Sequence, residues 1–327
     1  MTSTASIPAS APASRAAALR GMQFSDNMFR WLTFGAAALV LLILAGVMLS
    51  LFVGAFEALR TFGFGFFTSD SWNPGKQRFG AGAAIYGTLL TSAIAMIIAV
   101  PVGMGIAIFL TELCPMPLRR PISIAVELLA GIPSIIYGIW GAYYFNPLLQ
   151  TTVQPALINT LGALPFVGPF FAGPALGYST LSAGLILAIM ILPFITSISR
   201  DVFETVPPML KEAAYGIGAT TWEVVRNVVI PYTRVGVIGG IMLALGRALG
   251  ETMAVTFVIG NATKIQTSIN AQGTTISAMI ANQFAEAEPG LFTSSLLALG
   301  LILFAITFVV LAAARLLLMR LDRNKGA

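Results

Sequence analysis

The sequence predicts an all-α integral membrane protein with six transmembrane helices and with both termini in the cytoplasm. Of its 327 residues, 57% are hydrophobic and 9% are charged, against about 25% charged residues in an ordinary soluble domain. Several apolar stretches reach the length of about 20 residues that a helix needs to cross a hydrocarbon layer about 30 Å thick. Lysine and arginine are also distributed unevenly between the connecting loops, which indicates an orientation.

Six apolar stretches qualify as spans, and their approximate limits are 31–56, 84–111, 122–145, 177–199, 233–261 and 291–319. Pro101 and Pro193 interrupt two of them, and kinks are tolerated where neighbouring groups satisfy the freed carbonyls. The first span is too long for the apolar region of a signal peptide. Residues 1–29 are rich in Ser, Ala and Pro, which predicts a disordered cytoplasmic tail before a membrane domain at 30–323.

The positive charges set the predicted orientation. Four cations fall on one side, and thirteen fall on the side that holds both termini. The four are Arg60, Lys76, Arg78 and Lys264, and the thirteen are Arg15, Arg20, Arg30, Arg119, Arg120, Arg200, Lys211, Arg226, Arg234, Arg315, Arg320, Arg323 and Lys325. Cytoplasmic loops carry the excess of Lys and Arg, so the side with the termini is predicted to be cytoplasmic. The net charge of +5 then reflects topology rather than a nucleic-acid surface.

Several kinds of chemistry have no support in the sequence. The chain has one cysteine, Cys114, and no histidine, so an intrachain disulfide is excluded and the commonest metal ligand is missing. No nucleophile stands with a base, and no G-x-x-x-x-G-K-[ST] loop is present to hold ATP. We therefore expect neither an enzyme nor a metal site, and no cofactor bound by this chain.

The cytoplasmic loop at 200–232 carries the most informative pattern. Pro207 and Pro208 suit the start of a helix, and Thr220 or Thr221 can cap a second helix that Pro231 is expected to stop. The pattern residues are Glu212, Ala213, Ala214, Gly218, Val228, Val229, Ile230 and Pro231. This spacing resembles the EAA loop of permease subunits of binding-protein-dependent ABC importers, with conservative departures where the family has Ile-x-Leu-Pro. An ordinary amphipathic hairpin is the alternative.

The resemblance implies that this loop is the coupling helix that sits in a groove of an ATPase subunit. Small side chains at Ala213 and Ala214 permit close approach, and Gly218 permits a bend. Tyr215, Ile217 and Trp222 could fill an apolar groove. The resemblance also implies the type I ABC importer permease fold.

Further stretches resemble one branch of that family. SDSWNP, FGAGAAIYGTL, ELLAGIPSIIYG and GRALGETMAVTFVIGN, between residues 69 and 261, are similar to the PstC-type permeases of phosphate importers in the bacterial inner membrane. That resemblance implies a PstA-like second permease, a PstB-like pair of ATPase subunits that hold ATP and Mg²⁺, and a PstS-like external phosphate-binding protein. Two alternatives stay open: a proton-coupled secondary anion transporter, and an importer for another oxyanion such as sulfate.

Two charges interrupt the fifth span. Arg247 lies about 14 residues into it, roughly 21 Å along a helix, where an unpaired guanidinium costs about 2.5 to 3.5 kcal/mol. Glu251, four residues on, would share its helix face. Stability is a weak reason to bury an ion pair, and phosphate suits the planar fork of Arg. We expect Arg247 to meet the anion and Glu251 to hold the guanidinium between passages. The alternative is a purely structural pair.

Three further features carry expectations. Glu127 in the third span is expected to pair with an Arg of the partner permease or with Arg247, or to stay protonated between helices. Gly236 and Gly240, and then Gly246 and Gly250, have the spacing of close helix packing. The uncharged outer loop at 146–176 is expected to lie against protein or the lipid interface, because its apolar content is unfavourable in water.

Overall fold

The computed structural model describes the backbone of residues 12–323 and the side chains of residues 26–316 and 319. The described chain is helical. Its α-helices are α1 (Pro12–Phe62), α2 (Gly65–Thr68), α3 (Gly82–Ile108), α4 (Met116–Ala130), α5 (Ser134–Trp140), α6 (Asn146–Leu148), α7 (Gln154–Thr160), α8 (Gly168–Phe171), α9 (Thr180–Glu204), α10 (Pro208–Gly216), α11 (Thr221–Val224), α12 (Ile230–Leu249), α13 (Met253–Val258), α14 (Ile276–Gln283) and α15 (Leu291–Arg323). Turns of π-helix lie at Phe109–Leu113, Gly141–Phe145, Leu149–Val153 and Val225–Val229, and 3₁₀ turns at Pro74–Lys76 and Phe284–Glu286.

The described chain divides after Val53 into two units. Within the first unit, residues 12–53 belong to the long helix α1. Residues 12–29 are therefore helical, which differs from the disordered tail predicted over 1–29, and residues 1–11 lie outside the described residues. The segment AAALRGMQ has strong helix formers and runs without a break into the first apolar span, so the helix extends towards the N-terminus.

The prediction of six spans is confirmed. Five helical segments in the described chain are long and apolar enough to cross a membrane, and a bent pair makes six. The five are Asp26–Phe62, Gly82–Leu113, Thr180–Glu204, Thr221–Leu249 and Leu291–Leu316, and the pair is Met116–Ala130 with Ser134–Thr160. The described chain is thus an all-α protein built on these spans, as the sequence predicts.

We predicted the third span over 122–145 as a helix that Gly131 and Pro133 loosen, and the structure breaks it there into two helices. The chain bends by 86° between Met116–Ala130 and Ser134–Thr160. Pro133 has no backbone N–H and keeps the preceding residue out of the helical conformation, so a helix ends before it. The Tyr137 hydroxyl donates a 2.9 Å hydrogen bond to the Leu129 carbonyl across the break. The helical segment after the bend runs to Thr160, so half of the predicted outer loop is helix.

Helix α9 is the centre of the second unit. Its large side chains Ile186, Leu187, Ile191 and Ile195 are fully buried in a cluster that also takes in residues of α3, α12 and α13. Glycines allow the neighbouring helices to come close: a Cβ on Gly103 of α3 would lie 2.9 Å from Ile195. On α12, Gly236 and Gly240 meet α9 in the same way, as their spacing predicts.

Part of the predicted outer loop at 146–176 lies against protein, while its side chains Phe166 and Phe170 are exposed. Asn146 and Gln154 are buried side chains at the N-terminal end of α9. The amide of Asn146 accepts a short hydrogen bond from Ser182, and Gln154 donates to Ser179 at 3.1 Å and accepts from the Gly177 amide at 2.9 Å. Buried amides are tolerable only when they are hydrogen-bonded in this way.

At the opposite end, a small apolar cluster holds the segment between α9 and α12. Its buried members are Ala107, Phe203, Val206, Val224, Val229 and Val237. Ala107 lies at the end of α3 and Phe203 at the end of α9, Val206 follows α9, and the other three belong to the helical segment Thr221–Leu249. This cluster packs the predicted coupling helices against the ends of α3 and α9.

Candidate functional site

Arg247 lies at the middle depth of the helix bundle. A Cβ on Gly236 would contact Val202 of α9, and one on Gly240 would contact Ile198, so α12 and α9 run antiparallel. Arg247 comes seven residues after Gly240 and is therefore level with Ile191, seven residues before Ile198. Ile191 lies eleven residues after Thr180, the first residue of α9, or about 16 Å along the helix. That is about half of a 30 Å hydrocarbon layer.

The guanidinium of Arg247 faces outward from this chain. Arg247 is exposed, while Ala244 and Ala248 on the neighbouring face of α12 are buried against α9. Leu243, one turn earlier, is 60% exposed. Among the residues described, no acidic side chain forms an ion pair with Arg247. A charge at this depth must meet a countercharge or water, and neither comes from the described part of this chain.

Glu251 does not share a helix face with Arg247, contrary to our expectation. Helix α12 ends at Leu249, and residues 250–252 form an irregular break before α13. The Oε1 atom of Glu251 instead accepts a 3.2 Å hydrogen bond from the Ala254 amide. The carboxylate thereby satisfies one of the free N–H groups at the start of α13, where negative charge is favourable. The helix-pair argument that linked the two residues is wrong, because it assumed an unbroken helix.

Glu127 pairs with Arg200. We had expected Arg247, an arginine of the partner permease, or a protonated carboxyl group between helices. The Arg200 Nη1 to Glu127 Oε1 distance is 2.8 Å, and the same guanidinium contacts Asp201. Arg200 is twenty residues beyond Thr180, about 30 Å along α9. The pair therefore lies near the edge of the hydrocarbon layer on the side of the 200–232 loop. The Glu127 side chain is about half exposed, so its role in the path stays a prediction.

The 200–232 loop forms two short helices with a bend between them. Helix α10 ends at Gly216, and Gly218 has a φ of +89°, a conformation that favours glycine. The Gly218 amide donates to the Tyr215 carbonyl at 2.9 Å, and the Ala219 amide donates to the Ala214 carbonyl at 3.1 Å. These bonds close the turn as an αL helix ending does.

A capping box starts the second helix. The Thr220 side chain accepts from the Glu223 amide, and the Glu223 side chain accepts from the Thr220 amide. Two free donors of the helix start are thus satisfied. Pro231 does not stop this helix as we predicted, because the helical segment runs from Thr221 to Leu249. A π-helical turn at Val225–Val229 precedes Pro231 and accommodates its missing N–H.

The apolar side chains of the loop point away from the bundle. Ile217 is 88% exposed, Trp222 is 63% exposed and Tyr215 is 42% exposed. Glu212 and Ala213 are also exposed, whereas Ala214 packs against the small apolar cluster. The motif residues from Glu212 to Trp222 therefore lie together on one protruding segment. A contiguous exposed apolar surface of this kind is typical of a protein interface.

Sequence reasoning missed several charged residues at this end of the molecule. Arg200, Lys211 and Glu112 appeared only as topology signals or not at all, yet each forms an ion pair. Lys211 and Glu112 are separated by 99 residues in the chain. A single sequence gives no signal for such a pairing, because each residue by itself reads as an ordinary interfacial charge.

Comparison with known families identifies the fold. Residues 99–323 match the family described as binding-protein-dependent transport system inner membrane component. A permease of a bacterial alginate ABC transporter, solved with its periplasmic protein, has a TM-score of 0.58 at 16% identity, over 89% of this chain and 95% of that one. A methionine ABC transporter chain has a TM-score of 0.54 at 16% identity, over 73% and 94%.

Relatives of known name cover almost the whole chain. The phosphate transport system permease protein PstC of Mesorhizobium japonicum is 65% identical over 96% of this chain and 96% of its own length. The protein of the same name from Haemophilus influenzae is 52% identical over 92% and 95%. The chain belongs to the binding-protein-dependent inner membrane permeases of ABC importers and, within them, to the PstC-type permeases.

Proposed function

We propose that this chain is the membrane-spanning permease subunit of an ATP-driven importer and forms part of the path for inorganic phosphate. The substrate rests on the relatives, whose names state phosphate transport. ATP hydrolysis belongs to a separate subunit, because the sequence has no phosphate-binding loop of the Walker type. In this proposal the chain binds no cofactor, and ATP with Mg²⁺ is held by the partner ATPase pair.

The observation that carries the proposal is the position of Arg247. Its guanidinium is exposed at middle depth and forms no ion pair within the described residues. Phosphate supplies negative charge and several acceptor oxygens, which a guanidinium fork binds bidentately. The anion is then the countercharge that makes this arginine tolerable while phosphate passes.

Glu251 has a supporting role in this proposal. It follows Arg247 by four residues at the break between α12 and α13, and its carboxylate holds the first turn of α13. A negative charge so close in the chain to Arg247 limits how tightly an anion is held, since repulsion opposes the attraction of the guanidinium. Transport requires binding that is strong enough to admit the anion and weak enough to release it.

The partners follow from the family and from the exposed loop. We assign the surface of Glu212, Ala213, Tyr215, Gly218 and Trp222 to contact with a PstB-like ATPase subunit. A PstA-like permease would complete the path, and a PstS-like binding protein would deliver phosphate from outside. The protruding apolar residues support this assignment over the proton-coupled alternative, because a secondary transporter needs no such docking surface.

The test is uptake of labelled phosphate by vesicles that contain the assembled complex. Loss of a buried charge contact costs about 2 to 5 kcal/mol, so Arg247→Ala should lower uptake by a factor of about 30 or more. Arg247→Lys keeps the charge but loses the planar fork, and should be intermediate. Leu243→Ala, on the same exposed face, is the control for the substitution itself.

Two outcomes would contradict the proposal. Full phosphate uptake by Arg247→Ala at normal membrane levels would remove Arg247 from the path. Excess unlabelled sulfate should leave the uptake of labelled phosphate unchanged, whereas strong competition would assign the path to another oxyanion.

A further inference from the structure

Helix α10 carries the predicted ATPase surface but is weakly anchored in its own chain. None of its nine residues is buried. Only Ala214 packs against the small apolar cluster below it, while Met209 is 79% exposed. A helix that receives a mechanical displacement from an ATPase needs a firm connection to a membrane span. Apolar packing of α10 does not supply one.

One ion pair makes that connection. The Lys211 Nζ atom of α10 lies 2.5 Å from the Glu112 Oε1 atom, and the side chains are 20% and 6% exposed. Glu112 belongs to the π-helical turn Phe109–Leu113 that ends the span begun by α3. Since this pair is largely desolvated, water and salt screen it much less than a surface pair.

Stability alone is a weak reason for an ion pair at this place. A carboxylate in the last turn of a helix meets the negative end of the helix dipole, and burial adds a desolvation cost. Apolar residues of similar size usually stabilise a fold as well as a buried ion pair does. What the pair provides is a directional link with one preferred geometry between α10 and the end of α3.

The span that contains Glu112 leads to the candidate path. Gly103 of α3 lies against Ile195 of α9, and Gly184 of α9 lies against Ile94 of α3. Helix α9 in turn packs on α12 through Gly236 and Gly240, and α12 carries Arg247. These close contacts leave little room for independent sliding, because packed interiors transmit displacement.

We propose that the Lys211–Glu112 ion pair is a link that transmits movement of the coupling helix α10 to the end of the span begun by α3. Both are positioning residues, and the inference rests on the proposed function as an ATP-driven permease. The pair makes α10 and the end of α3 move together. Breaking it leaves α10 joined to the spans through the Gly218 turn and the helix that begins at Thr221, so its movement no longer reaches the end of α3 directly.

The experiment measures phosphate uptake and ATP hydrolysis in the same vesicles, with the complete complex and its binding protein. Glu112→Gln and Lys211→Met should lower the phosphate carried per ATP hydrolysed by about fivefold or more, the range of a typical coupling energy. The reversed pair, Glu112→Lys with Lys211→Glu, should restore most of that ratio. Arg120→Gln, an exposed cation of α4 with no ion pair among the described residues, is the control.

Each result has a definite consequence. A purely structural role would reduce the amount of assembled complex but leave the ratio per complex unchanged, and that outcome overturns the inference. A ratio that falls and is not restored by the reversed pair overturns it as well. If the single variants fail to assemble, the reversed pair is the deciding variant. Restored assembly with a normal ratio of phosphate to ATP supports the link, and a reversed pair that does not assemble or has a low ratio contradicts it. The wild-type complex must itself import phosphate, and if it does not, the proposed function fails first.

Discussion

At the scale of single residues, the two charges of the fifth span have separate roles. Arg247 costs about 2.5 to 3.5 kcal/mol at the centre of a membrane on insertion scales. Glu251 offsets none of this by direct pairing, since its carboxylate accepts from the Ala254 amide. The arginine therefore depends on something outside the described chain, and the glutamate depends on the backbone next to it. Glu251 thus combines a contact with the backbone of α13 and, in the proposed function, a charge that limits how tightly the anion is held.

Two substitutions of Glu251 distinguish its backbone role from its charge. Glu251→Gln keeps an oxygen that accepts from the Ala254 amide, whereas Glu251→Ala removes it. We expect the free energy of unfolding of Glu251→Ala to be about 1 kcal/mol lower than that of Glu251→Gln. This is the usual cost of losing a side-chain acceptor at the start of a helix. Chemical unfolding of the purified chain in detergent measures this. Both variants lack the charge, so both should lose phosphate uptake to a similar degree.

The expected difference has a clear counter-result. Equal stability of the two Glu251 variants would show that the hydrogen bond to Ala254 contributes nothing. Full uptake by Glu251→Gln would remove the charge from the proposed mechanism and leave Glu251 as a structural residue.

At the scale of elements, the bend of the coupling loop depends on one glycine. Gly218 has a φ of +89° and no atom within 4 Å of a Cβ placed on it. Gly218→Ala therefore meets no clash, but its backbone is strained by about 1 to 3 kcal/mol. We expect the variant to shift the angle between α10 and α11 and to lower ATP-driven phosphate uptake. Uptake by vesicles with the complete complex is the measurement.

Gly216 supplies the matched control for this substitution. It is also free of contacts within 4 Å, but it has no positive φ and ends α10. Gly216→Ala should keep uptake, because alanine is favoured in a helix by up to about 1 kcal/mol. If both variants behaved alike, the positive φ at Gly218 would not be the cause.

The packing of α12 on α9 gives a second matched pair. A Cβ on Gly240 would lie 2.5 Å from Ile198, while a Cβ on Gly239 would meet nothing within 4 Å. Gly240→Ala should reduce the unfolding free energy by about 1 to 3 kcal/mol, the cost of overpacking. Gly239→Ala should be neutral or slightly stabilising. Unfolding in detergent compares them, and a neutral Gly240→Ala would mean that α9 and α12 separate without cost.

At the scale of the whole molecule, the sequence predicted the number and type of spans but not their interruptions. Six apolar stretches identified six crossings, since length and hydropathy are local properties. The break at residues 250–252 was missed because Gly250 reads equally well as a packing residue inside a helix. The 86° bend after Ala130 was foreseen only as a loosening at Pro133, since the angle depends on what the helices pack against.

The candidate sites divide in the same way. The shape of the 200–232 loop, two short helices with a bend at Gly218, was predicted because the motif is contiguous and its turn needs a glycine. Its contact with an ATPase subunit stays a prediction. The ion pairs Arg200–Glu127 and Lys211–Glu112 join residues 73 and 99 positions apart. Such pairings arise only from the packing of whole helices, so a single sequence contains no pattern that predicts them.

The orientation of the whole chain is the remaining prediction, and the single cysteine makes it testable. Cys114 is buried, so Cys114→Ala supplies a background without a reactive thiol. Lys76→Cys and Met116→Cys then place single exposed thiols on opposite sides of the predicted membrane. In right-side-out vesicles, an impermeant maleimide should label Lys76→Cys, and it should label Met116→Cys only after permeabilisation. The reason is the excess of Lys and Arg on the side of Met116, which the membrane retains in the cytoplasm. The reverse pattern in the same vesicles would place the coupling loop outside the cell, where no ATPase could reach it.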